Sequence, residues 1–114
     1  MSLNPIRTHR EILQSKLETI PGVKKVYFQP PSTEKLKYPC IICTFDGINS
    51  KAADNSKYFA WPKFSLTVID YDLESQIPMH ILAFNDGVTV SMDRYFTADN
   101  LNHWVFSIVS TQFV

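Results

Sequence analysis

The residues whose types and spacing could do chemistry fall into four groups. In YFTADNLNHWVFSIV, Asp99, Asn100, Asn102 and His103 stand within five residues, between runs of aromatic and aliphatic side chains. A carboxylate, two amides and an imidazole so close together could ligate a metal or move a proton. The same letters spell a tight turn, because Asp and Asn accept turn conformations and bond nearby backbone amides, and that reading outweighs the first. The second group is DYD, Asp70 and Asp72, followed by Glu74. Alternate positions at a strand end share a face, so two carboxylates could hold Mg²⁺ there. The weightier reading is a solvated strand-to-helix turn whose negative charge favours the helix N-terminus.

Cys40 and Cys43 form the third group, a C-x-x-C pair. Redox pairs of that spacing sit at helix N-termini, whereas PCIICTF reads as the interior of a strand, where a spacing of three sends the side chains to opposite faces. Buried structural thiols are the expectation, and no second C-x-x-C completes a zinc site. The fourth group is His9, His80 and His103, which no H-E-x-x-H or H-x-E pattern accompanies. His9 is expected on the exposed side of the first helix and His80 at the surface or half-buried. G-x-S-x-G and the P-loop are absent, and the chain has three glycines. No catalytic, cofactor-binding or metal-ligating residues are assigned.

The elements that must position these residues follow from periodicity. Residues 5–20 carry Ile6, Leu13, Leu17 and Ile20 on one helical stripe, with Ile12 beside it, Asn4 placed to cap, Pro5 in the first turn and Pro21-Gly22 as the stop. VKKVYFQ, Val23 to Gln29, reads as a strand ended by two prolines. Cys40 to Asp46 reads as a strand apolar on both faces in its first half, hence central. INSKAADNSKY reads as a long loop or an extended hairpin tip. Phe64, Leu66 and Val68 alternate with Ser65 and Thr67 in the next strand. A short helix is expected from Gln76 to Phe84 with Ser75 as its cap and Asn85 to Gly87 as its stop, then two strands joined at TADNLN. The order predicts one α+β domain over 1–114: a mainly antiparallel five-stranded sheet, mixed pairing left open, with both helices on one face.

Composition narrows the function classes. The 114 residues are 45% apolar and 19% charged, with eight Phe, five Tyr and two Trp, the balance of an ordered domain. Eleven basic residues face eleven acidic ones, which argues against nucleic acid as the main partner, since that affinity comes largely from neutralised phosphates. No apolar run approaches the roughly 20 residues that cross a bilayer, and MSLNPIRTHREI has no signal-like apolar core, so the expectation is no membrane and a reducing cytosol.

Four stretches, VYFQPPSTEKLKYPCIIC, ADNSKYFAWPKFSLTVID, IPMHIL and DRYFTADNLNH, resemble a family of small tailed-phage and prophage tail completion or tail terminator-like proteins. The similarity runs from Ile20 to Phe106, and its specific pieces are Val26 to Pro31, Lys37 to Cys40, Ala53 to Asn55, Thr67 to Asp70 and Tyr95 to His103. Trp104 and the residues after Phe106 depart from the family pattern. The resemblance implies a non-enzymatic homo-oligomeric ring, six-fold to match the tail tube, that caps the tube and meets the head-tail connector, made in the bacterial cytoplasm and resident in the virion tail. It implies no cofactor and no specific nucleic acid. Its interface candidates are Ala53, Asp54, Asn55 and Tyr58 in one segment, and Asp99, Asn100, Asn102 and His103 in the other, the tripeptide ADN occurring in both. The alternatives are a small metal-dependent hydrolase using Asp70, Asp72 and Glu74, or another neck or minor tail component.

Overall fold

The computed structural model describes the backbone of residues 5–53, 57–84 and 88–110, and the side chains of 9–47, 62–84 and 88–109. Helix α1 (Pro5–Glu18) is followed by β1 (Lys25–Phe28), β2 (Cys40–Ala53), β3 (Lys57–Asp70), a short α2 (Ile77–Leu82), β4 (Val88–Ala98) and β5 (Leu101–Ser110). Their order in the sheet is β1-β2-β3-β5-β4; β1 runs parallel to β2 and every other neighbouring pair is antiparallel. The expected α+β class and five-stranded sheet are therefore present, with the mixed pairing supplied by β1.

Alternation builds the two faces. Ile41, Val68 and Trp104 lie abreast across β2, β3 and β5, as do Cys43, Leu66 and Phe106. With Val26, Phe64 and Ile108 they form one buried cluster with Leu13, Leu17 and Ile20 of the N-terminal segment and Ile77 and Ile81 of α2. Both helices thus cover the same face. Phe64, Leu66 and Phe106 have no solvent exposure, and each such side chain contributes on the order of 1.5–3 kcal/mol relative to being exposed.

The opposite face is covered differently. The connection from β1 to the parallel β2 crosses it, so that Leu36 and Tyr38 pack on a second cluster of Tyr27, Cys40, Ile69 and Leu101. Lys37 N–H donates to Tyr27 Oη at 3.0 Å, and the Tyr38-Pro39 bond within the connection is cis. Gln29, at φ +44°, ends β1, and its Oε1 accepts the Phe45 N–H at 2.9 Å.

Several boundaries differ from those expected. β1 is shorter than Val23–Gln29, and α1 ends at Glu18, where Thr19 Oγ1 donates to Lys16 O at 2.6 Å; Gly22 follows at φ +91°. Asn4 and Asn85 to Gly87 lie outside the described residues. The N-cap of α2 is Gln76, without a side-chain capping bond; Ser75, expected as the cap, stands one residue before it, and its Oγ accepts the Ile77 N–H at 3.3 Å. The largest difference is INSKAA. Of the two forms expected for it, the extended hairpin is adopted: Ile48 to Ala53 continue β2, paired in register with Pro62 back to Lys57. A register irregularity between Phe45 and Gly47, with Gly47 at φ +121°, marks the root of this hairpin. β1 pairs with β2 only as far as Cys43, and β5 pairs with β3 only from Lys63 onward. Beyond the root, six residue pairs form a two-stranded ribbon that runs on for roughly 20 Å at ~3.3 Å per residue, and the molecule measures 51 × 24 × 23 Å.

Candidate functional site

The sheet has two ends. The ribbon occupies one, and the other is formed where β3 stops at Asp70 and the β4–β5 hairpin turns at Asp99-Asn100. Four of the eight interface candidates are in this second end. Asp99 and Asn100 are the only residues between Ala98 and Leu101, a paired couple, and both have positive φ, +54° and +62°. A two-residue hairpin loop needs that conformation to match the twist of its strands, and short polar residues accept it.

Asn102 sits in β5 opposite Asp70 and is buried. Its Nδ2 donates to Asp70 O at 3.3 Å and to Tyr71 O at 3.1 Å, while its Oδ1 accepts the hydroxyl of Tyr95. It therefore ties the end of β3 to the terminal hairpin. His103 stacks on Phe96 across the strand pair, with centroids 4.6 Å apart and planes 12° from parallel, and its Nδ1 lies 3.2 Å from Leu101 O. Arg94 approaches the Phe96 ring at 5.2 Å. The ring of Tyr95 meets Trp104 at 5.5 Å. The polar quartet is thus divided between a turn, a clamp and a stacked pair.

The acidic group also builds a turn. β3 ends at Asp70, so strand alternation does not extend to Asp72. Asp70 Oδ1 accepts the Asp72 N–H at 3.1 Å, and Asp72 Oδ1 accepts the Glu74 N–H at 2.9 Å. Among the described residues no three His, Cys, Asp or Glu side chains are grouped as metal ligands would be. Tyr71 meets Tyr38 edge to face at 5.8 Å. Burial raises the Tyr38 phenol above its ordinary value, with smaller contributions from Cys40, Tyr71, Asp99 and Tyr27.

Ala53 and Tyr58 belong to the ribbon, where Ala53 pairs with Lys57 and Ala52 with Tyr58; Asp54 and Asn55 lie outside the described residues. Ala53 and Tyr58 are therefore at the opposite end of the sheet from Asp99, Asn100, Asn102 and His103.

Cys40 and Cys43 are buried free thiols in different clusters on opposite faces of the sheet, as their spacing in a strand requires. Burial pushes them up to about 11 and about 12. His80 is exposed. His9 corrects an expectation: it is buried, one turn before Leu13 on the stripe that continues through Leu17, and burial lowers its pKa. A position four residues before the first core leucine carried that signal.

Sequence reading missed Tyr95, Tyr71 and Phe96. A two-residue turn at Asp99-Asn100 sets Phe96 against His103 and Tyr95 against Trp104, so those partners were available once the turn was taken to be that short. It also missed an open groove of about 570 Å³ between the connection and the sheet, lined by Gln29, Pro30, Leu36, Ile42 and Thr44 among others.

No family model and no curated protein sequence matches this chain.

Proposed function

We propose that this chain is a non-enzymatic assembly protein of a tailed phage or prophage, a tail terminator or tail completion protein that forms a homo-oligomeric ring on the end of the tail tube and helps join it to the head connector. The reading rests on the resemblance carried by Val26 to Pro31, Lys37 to Cys40, Ala53 to Asn55, Thr67 to Asp70 and Tyr95 to His103. The structural observation that supports it is the unlike character of the two ends, a projecting ribbon and a polar, aromatic turn. A cyclic ring needs two different complementary patches on each subunit, and a domain with unlike ends meets that requirement. The carboxylates of Asp70 and Asp72 accept turn amides, so the hydrolase alternative gains no support from their geometry. Its workplace would be the virion tail after synthesis in the host cytoplasm, with the tube protein and connector as partners.

Electron microscopy of particles made without the gene tests the reading. Overlong tails, or tails unattached to heads, are expected; normal tails on filled heads would refute it.

A further inference from the structure

The ribbon and the far end of the sheet are matched in charge and in apolar character. The twelve described ribbon residues, 48–53 and 57–62, include Lys51 and Lys57 and no acidic residue, together with Ile48, Tyr58, Phe59 and Trp61. Even with Asp54 counted, the segment stays net positive. The two segments at the far end, 70–76 and 98–102, contain Asp70, Asp72, Glu74 and Asp99 and no Lys or Arg. They also carry Tyr71 and Leu73, 67% and 65% exposed, the two most exposed large apolar residues among the described side chains.

A two-stranded ribbon is marginal in water by itself and gains most from a surface to pack against. Its own far end is not available, because the two lie at opposite ends of β3 in a molecule 51 Å long. We propose that the β2–β3 ribbon of one copy docks on the Asp70–Gln76 and Ala98–Asn102 end of a second copy, head to tail. The contact rests on the ring reading above and names the surfaces through which neighbouring subunits meet. The net positive ribbon thereby meets the acidic turn beside the exposed Tyr71 and Leu73. Because each copy offers one ribbon and one acceptor end, the contact is heterologous and propagates from subunit to subunit.

Complementary charge reversal tests it. One variant carries Lys51→Glu and Lys57→Glu. The other carries Glu74→Lys and Asp72→Asn, the amide keeping an oxygen for the Glu74 N–H. Self-association of each, and of an equimolar mixture, is followed by sedimentation up to about 1 mM, the range of a weak contact, with circular dichroism as the folding control. Each variant alone should associate at least ~10-fold more weakly than the wild type, since the first sets like charges across the contact and the second strips the acceptor end of most of its net negative charge. The mixture should recover to within ~3-fold, because the unaltered ribbon of one variant meets the unaltered acceptor end of the other. Wild-type association should also weaken between about 50 and about 500 mM salt, a readout that needs no variant. A wild type that stays monomeric throughout, variants that associate like the wild type, or a mixture that fails to recover would each overturn the contact. Association retained by both variants removes this contact while leaving the ring reading standing; tail length in gene-deleted particles decides that reading separately.

Discussion

Replacing Asn102 by Ala removes a clamp rather than a ligand, and the cost can be worked from its partners. The side chain is buried and makes three hydrogen bonds, to Asp70 O, to Tyr71 O and from Tyr95 Oη. A net contribution of about 0.5–1.5 kcal/mol applies to each, and the buried carbonyl of Asp70 is poorly placed to recruit water. Asn102→Ala should therefore destabilise by about 2–3 kcal/mol, a large part of the ~5–15 kcal/mol that holds a small domain folded. Tyr95→Phe deletes one of the three bonds at a partly exposed ring and should cost about 1 kcal/mol. In the Asn102→Ala background Tyr95→Phe should cost nearly nothing, because its acceptor has gone; the double-mutant cycle isolates that coupling. Urea unfolding followed by tryptophan fluorescence is the assay, with Trp104 in contact with Tyr95 as a local reporter. At an m-value of about 1–1.5 kcal/mol/M, the Asn102→Ala midpoint should fall by about 2 M. A loss below about 0.5 kcal/mol, or an undiminished Tyr95→Phe effect in the double variant, would refute the clamp.

Two further outcomes are expected. Cys40 and Cys43, buried and pushed up to about 11 and about 12, should be silent to an aromatic disulfide reagent at pH 8 in the native protein and both titrate in denaturant; rapid native labelling of either would contradict their placement. His9 has a folded pKa below its ordinary 6.5 because of burial, so the unfolded chain takes up the proton first. Stability should be full above pH 6.5 and decline as the pH falls through that value toward the folded pKa, and His9→Gln should flatten this part of the profile; identical profiles for variant and wild type would count against the assignment.

Short-range pattern determined much of this protein. Alternation at Phe64, Leu66 and Val68 is local information about which face is dry, and the buried sheet face follows it. The i, i+4 spacing of Leu13 and Leu17 did the same for α1. The three-residue separation of Cys40 and Cys43 settled that they lie on opposite faces of a strand, and the Asp-Asn pair at 99–100 supplied the positive-φ hairpin turn. Other features depended on residues distant in the chain. INSKAA has weak strand propensity and extends β2 because Lys57–Pro62 runs back beside it. β1 is parallel to β2 only because its connection crosses the far face of the sheet, a choice no periodicity encodes. Asn102 reads as one more turn residue until β3 brings Asp70, 32 positions away, opposite it. Propensity and alternation act over a few residues and are written in the sequence. Strand order and the partners of a buried amide are set by which distant segments share one core, and only the folded chain decides that.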